Sequence, residues 1–381
     1  MKRMVWILTA AFLIGIFPAP AGAATLAEAG KSAVLMDVTT GTVLYEANSH
    51  EPLAPASVTK VMTMLLIMEA VDSGKITLSD TVTASENAAA KGGSQIYLKA
   101  GETMSVSDML KSIAVSSAND CACAMAEHIA GSESAFVEAM NQRAKELGMQ
   151  DTHFVNCTGL DDDDTAKQHR TSAYDIALMS RELLKNHPLI KQYTTIWMDT
   201  VRGGAFGLSN TNKLIRFYPG ATGLKTGFTS GAGYCLSASA QRDGMELIAV
   251  VMGAKTSQSR NAACKELLDY GFANFAVISP ELSDVSAVPV KLGKQDSVPA
   301  VLGQSAGLLI DKAQKSTVAT EITLEQSVTA PVARGQQLGT LAIKSGEQTL
   351  RQIPLVAAEG VERLTTADLF VKVLRKAAMA K

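Results

Sequence analysis

The chain opens on an unbroken apolar run, MVWILTAAFLIGIF, set between the basic MKR and the small-residue stretch APAGA. That order is the layout of a secretory leader spanning residues 1–23, with cleavage expected after Ala23. The run is short for a bilayer span of about 20 residues, which favours removal over anchoring. Next, SAVLMDVTTGTVLYEA alternates and breaks at Thr40-Gly41, so it reads as a β-hairpin. A helix is expected from Ser57 to Asp72, apolar nearly all round and therefore buried. VSDMLKSIAVS and NDCACAMAEHIAGS predict two more helices, with Ser116 to Asn119 between them. SESAFVEAMNQRAKELGM predicts another, ending at Gly148, and SAYDIALMSRELLKNHP an amphipathic one stopped by Pro188.

Strand character returns in GATGLKTGFT, GYCLSASAQ and MELIAVVMG, the last two joined by a turn at Arg242-Asp243-Gly244. SRNAACKELLDYGFANF closes this part as a helix. Strands at both ends with helices between predict an α+β unit over residues 24–276. It would be an antiparallel sheet covered by helices, with an inserted helical lobe. From Val277 the texture changes to prolines, glycines and short alternating stretches, which predicts a small all-β domain over 277–362. The end, 363–381, is helical again. Leu369, Phe370, Val373, Leu374 and Ala377 share one face, and Lys372, Arg375 and Lys376 line the other. Such a helix can lie in a membrane interface, its lysines toward anionic headgroups.

Composition narrows the class. The 381 residues are 47% hydrophobic and 19% charged, with a net charge of −2, which predicts a sizeable core and no disorder. No basic run with interleaved aromatics is present, so nucleic acid is not an expected partner. Five cysteines in an exported chain raise the question of disulfides. Their odd number and small apolar surroundings suggest buried thiols instead, leaving room for one bridge at most. No cysteine or histidine spacing suits zinc. The acid run Asp161–Asp164 lacks the spacing and glycine of a calcium loop and reads as a solvated loop.

Three short motifs carry candidate chemistry. Lys60 sits in the first turn of a buried helix, facing the positive end of the dipole, where Asp or Glu would be more stable. It lies three residues from Ser57, on the same face. Desolvation there lowers a lysine pKa, and a neutral amine can take the serine proton. The second motif, S-x-N, occurs at Ser85/Asn87, Ser117/Asn119 and Ser259/Asn261. Ser117-Ala118-Asn119 stands out because it falls in a break between two apolar helices. The third is Lys225-Thr226-Gly227 on a strand. Lys225 can supply a fixed positive charge, Thr226 can bond a carboxylate, and Gly227 lets a peptide approach closely.

S-x-x-K, S-x-N and K-T-G in that order are the signature of penicillin-binding proteins and serine β-lactamases. Here they are spaced by 60 residues (Ser57 to Ser117) and 108 residues (Ser117 to Lys225). The chain resembles the low-molecular-weight penicillin-binding proteins, in particular the serine-type D-alanyl-D-alanine carboxypeptidases. The resemblance runs through APASVTKVMTMLL, GGSQIYLKAGE, SSANDCACAMAEHIAGS, NCTGL, TSAYDIALMSREL, GLKTGFTSGAGYCLSASA and LLDYGFANF. It implies a β-lactamase/transpeptidase-like fold followed by a small β-sandwich-like domain and a membrane-contact helix. It also implies Ser57 as nucleophile, Lys60 as its base, and Ser117, helped by Lys225, as proton relay to the leaving amine. Asn119 would bind the substrate backbone, Thr226 the terminal carboxylate, and the amides of Ser57 and Phe228 the oxyanion. Arg260 would add positive charge near the carboxylate.

The implied partners are peptidoglycan stem peptides ending in D-Ala-D-Ala, β-lactams as covalent inhibitors, and the outer face of the cytoplasmic membrane. No metal or organic cofactor is implied. Phe228 departs from members that carry histidine after K-T-G. A class A β-lactamase would have Ser-Asp-Asn for Ser-Ala-Asn, a deacylating glutamate, and no β domain. The remaining alternatives are a D,D-endopeptidase cutting cross-links and a weakly active penicillin-binding scaffold.

Overall fold

The computed structural model describes residues 30–161, 165–280, 282, 287–304 and 306–371. The expected leader, most of the acid run and most of the terminal helix fall outside these residues. Within them, five strands form one antiparallel sheet. They are β1 (Ser32–Asp37), β2 (Val43–Ala47), β3 (Ala221–Thr229), β4 (Gly233–Arg242) and β5 (Met245–Ala254), in the order β2-β1-β5-β4-β3. The first hairpin and the three later strands thus join as neighbours, with β1 against β5.

Both faces of this sheet are covered, which explains why β1 is buried at every position. Val34 and Met36 point into the larger core, together with Ile248, Val250 and Met252. The intervening Ala33 and Leu35 point the other way, with Leu247, Ala249 and Val251. This is the period-two alternation of a strand, applied to two apolar environments. On the first face lie α1 (Lys60–Asp72), α2 (Val106–Ser116), α3 (Asn119–Ala130), α4 (Glu133–Glu146) and α5 (Ala173–Asn186). Helix α6 (Ser257–Asn274) covers the second face with Ala263, Cys264, Leu267 and Leu268. Helix α1 is buried on nearly every side, as its uninterrupted apolar sequence demands.

The turn between β4 and β5 is a two-residue connection, since Arg242 pairs with Met245. Its Asp243 and Gly244 both have positive φ, as that hairpin type requires. After α6 the chain forms a strand, Phe275–Ile278, that pairs with Leu308–Asp311, so the change of texture at Val277 falls inside a strand. Beyond it, the described residues form two further sheets, built of short strands together with the long hairpin Gln337–Ser345 and Gln348–Ala357. One has three strands and one has four, the latter ordered Ala300–Leu302, Gln348–Ala357, Gln337–Ser345 and Val318–Leu324. Their cores are small and separate from the first two. A short helix begins at 366 and reaches the last described residue, 371. All five cysteines are free and buried. Among the described residues no helix is long and apolar enough to cross a membrane.

One buried carboxylate ties the helical lobe to the segment before it. Asp120 accepts from the backbone N–H of Ile96 at 3.1 Å, of Leu98 at 3.0 Å and of Cys121 at 2.9 Å. Replacing it with alanine leaves those donors without partners in a dry interior. Asp120→Ala should lower stability by about 2–3 kcal/mol, read from urea unfolding midpoints, with Asp120→Asn intermediate.

Candidate active site

The segment expected as a helix from Ser57 begins differently. Residues Ala56–Thr59 form a 3-10 turn, and the α-helix starts at Lys60. Ala56 has φ +48°, a region costly for a residue with a Cβ, so the chain kinks just before Ser57. No side chain caps the turn or the helix, so the Ser57 hydroxyl is not spent on capping. It is half-buried and receives a hydrogen bond from Lys60 Nζ at 3.0 Å. Lys60 is 0% exposed, and its Nζ also donates to the Thr158 carbonyl at 2.8 Å. Loss of hydration lowers its pKa to about 7, opposed by Cys157 and Asp120. The pair is a serine hydroxyl in contact with an amine that can be neutral at physiological pH.

Ser117 and Asn119 lie at the junction of α2 and α3. Ser117 has φ +65° and ends α2; Asn119 opens α3, and both are buried. The N-cap of α3 is Ala118, with no side-chain bond, so Ser117 does not cap it. The other two S-x-N matches do serve as caps. Ser85 accepts from Ala88 N, and Ser259 completes a capping box with Thr256. Asn119 Nδ2 donates to the Gly92 carbonyl at 2.7 Å. Its Oδ1 is buried and has no partner among the described residues.

Strand β3 brings the third motif to this place along an edge of the sheet. Gly227 faces the Ser57 turn so closely that a Cβ would lie 2.7 Å from the Pro55 carbonyl. The same Cβ would sit 3.1 Å from the amides of Ser57 and Val58. The Thr226 hydroxyl donates to Thr211 Oγ1 at 2.7 Å, and Thr211 N donates to the Val115 carbonyl near the end of α2. Thr211 thereby connects the strand to the helix end that carries Ser117. Lys225 is buried, with Nζ bonded to the Thr226 carbonyl at 2.8 Å. Burial drives its pKa well down, and Lys60 and Arg260 push the same way. Lys225 therefore holds its proton less tightly than a solvated lysine does.

Phe228 is 54% exposed, its ring tilted against Tyr234 at 4.3 Å between centroids. Arg260 is buried behind them, 5.9 Å from the Tyr234 ring, and bonds to Asn261 Oδ1 and the Cys235 carbonyl. Burial lowers its pKa.

Three contributors escaped the sequence reading. The Thr158 carbonyl that holds Lys60 is a backbone atom and has no side-chain signature. Thr211 acts through a contact 15 positions from its partner in the chain. His169 is buried against Thr59, with Nε2 and Oγ1 2.8 Å apart, and nothing in its local sequence marks it.

The arrangement has known relatives. A family model described as D-alanyl-D-alanine carboxypeptidase matches residues 20–256. A second, described as penicillin-binding protein 5, C-terminal domain, matches 282–363. The D-alanyl-D-alanine carboxypeptidase DacF of Bacillus subtilis is 47% identical over 344 residues, covering 89% of this chain and 87% of the relative. Penicillin-binding protein 5 of Haemophilus influenzae superposes with a TM-score of 0.71 at 31% identity, covering 88% of this chain and 98% of that one. Penicillin-binding protein D2 of Listeria monocytogenes, solved in an ampicillin-bound form, matches with a TM-score of 0.58 at 33% identity. That match covers 64% of this chain and 98% of that one. With both parts of its length matched, the chain belongs to the D-alanyl-D-alanine carboxypeptidase family of serine-type hydrolases.

Proposed function

We propose that the chain removes the terminal D-alanine from peptidoglycan stem peptides through an acyl-enzyme on Ser57, and that β-lactams acylate the same oxygen. The observation that carries this reading is the Lys60 Nζ to Ser57 Oγ contact of 3.0 Å, made by a lysine whose pKa is lowered to about 7. Ser57 Oγ attacks the carbonyl carbon of the penultimate D-alanine as its proton passes to Lys60. The Ser57 and Phe228 amides receive the oxyanion. Ser117, with Lys225 behind it, passes a proton to the leaving amine, and the C–N bond breaks to free D-alanine. Water then cleaves the ester and restores Ser57. The unpaired Asn119 Oδ1 is suited to a substrate N–H. Thr226, Thr211 and Arg260 supply hydroxyls and a cation for the terminal carboxylate.

In this reading the leader is residues 1–23, the peptidase unit 24–276, the β unit 277–362 and the membrane-contact segment 363–381. The protein works outside the cytoplasmic membrane, peripheral to its surface. Support for the last segment comes from the helix at its start, where Phe370 is 66% exposed and Leu369 and Val371 are also exposed.

The direct test is protein lacking residues 1–23 incubated with diacetyl-Lys-D-Ala-D-Ala, with Ser57→Ala alongside. Parent protein should release D-alanine and the variant none. An adduct with penicillin but no release would instead favour an endopeptidase or a scaffold. The acylation rate by a penicillin should climb with pH through about 7 and then level, because only neutral Lys60 accepts the proton. A rate that is flat from pH 6 to 8 would remove Lys60 as the base. Gly227→Ala should slow acylation about 100-fold, since its Cβ meets only backbone atoms and must push β3 away from Ser57.

A further inference from the structure

The Ala56–Ser57 peptide group is held from both sides. On one side, Gly159 packs so tightly that a Cβ there would fall 1.8 Å from the Ala56 carbonyl oxygen. That oxygen accepts from Thr59 Oγ1 at 2.8 Å. Because the Thr59 hydroxyl has one proton and gives it to Ala56, it accepts from His169 Nε2, 2.8 Å away. The other ring nitrogen, Nδ1, accepts from the Val155 backbone N–H at 3.2 Å. The network therefore assigns His169 as the neutral tautomer with its proton on Nε2. Burial keeps the ring neutral, with a pKa lowered to about 3.

On the other side of the same peptide, the Ser57 nitrogen faces Gly227 of β3. A peptide group is planar, so its N–H points opposite to its C=O. Fixing the Ala56 carbonyl from one side therefore aims the Ser57 N–H from the other.

We propose that His169 is a positioning residue that, through Thr59 and the Ala56 carbonyl, holds the Ser57 N–H at the angle needed to bind the oxyanion. The inference rests on Ser57 being the nucleophile. His169 touches no substrate in this scheme and takes no proton, since both ring nitrogens are already engaged. Its contribution is preorganisation: a donor fixed before the reaction needs no rearrangement when charge develops. It is missing from the three motifs because it acts on the backbone of one of them.

The test compares His169→Ala, His169→Gln, Thr59→Val and Thr59→Ser for D-alanine release and for the rate of adduct formation with a fluorescent penicillin. Adduct stoichiometry counts the folded sites in each sample. His169→Ala and Thr59→Val should each lower kcat and the acylation rate about 10- to 100-fold with KM little changed, since the oxyanion exists only past the ground state. His169→Gln and Thr59→Ser keep a donor and a hydroxyl, and should recover most of the loss. The double variant His169→Ala/Thr59→Val should be no slower than either single one, because both break the same chain. If His169→Ala proves too unstable, Thr59→Val breaks the link with almost no change of shape.

A lowered melting temperature with an unchanged acylation rate per folded site would make His169 merely structural and overturn the proposal. Recovery absent from both conservative variants would overturn it too. A parent protein with neither release nor adduct would remove the function reading and this one together. An active parent with unslowed variants would remove this one alone.

Discussion

The candidate site depends on one lysine amine being held out of water. Lys60 is the first residue of a helix buried on almost every side, and its Nζ meets Ser57 Oγ and the Thr158 carbonyl. A charged amine in that place would forgo its hydration with two neutral oxygens as its hydrogen-bond partners. Burial therefore shifts the balance toward the neutral amine, the form able to accept a proton. The folded protein therefore carries an unfavourable placement that a purely stabilising sequence would avoid, and the apolar core around α1 offsets it.

The same logic organises the approach of the other elements. Two segments approach the Ser57 turn: the end of α2, carrying Ser117, and the edge of β3, carrying Lys225 to Phe228. Both faces of the sheet are occupied by helices, so an edge is where backbone remains open to a ligand. Thr211 ties the two together, and Gly227 lets the edge come within contact of the Ser57 turn. Lys60 weakens the hold of its neighbour Lys225 on a proton, in the same direction as the burial that already lowers both lysines.

Much of this was legible in the sequence. The hairpin, the helices and the three later strands follow from their periodicities, and the turn at Asp243-Gly244 from its residues. The oddity of Lys60 was readable because its position violates the helix-dipole preference. Ser117 was singled out among three S-x-N matches by its place between helices, and the other two turn out to be caps. Other features were not readable. The 3-10 turn at Ala56–Thr59 depends on a left-handed Ala56 that no local preference predicts. The partners Thr158, Thr211 and His169 act through contacts made only once distant segments have packed. The strand at Phe275–Ile278 crosses a boundary that composition places at Val277.

The unpaired Oδ1 of Asn119 has a consequence for discrimination. A buried acceptor left without a donor costs about 1–3 kcal/mol. A molecule that brings an N–H to this point removes it. One that brings an ether or ester oxygen instead adds a second lone pair facing the first. Two ligands of identical shape that met this atom would thus be told apart by it, and the difference comes from a bond the protein does not make with itself.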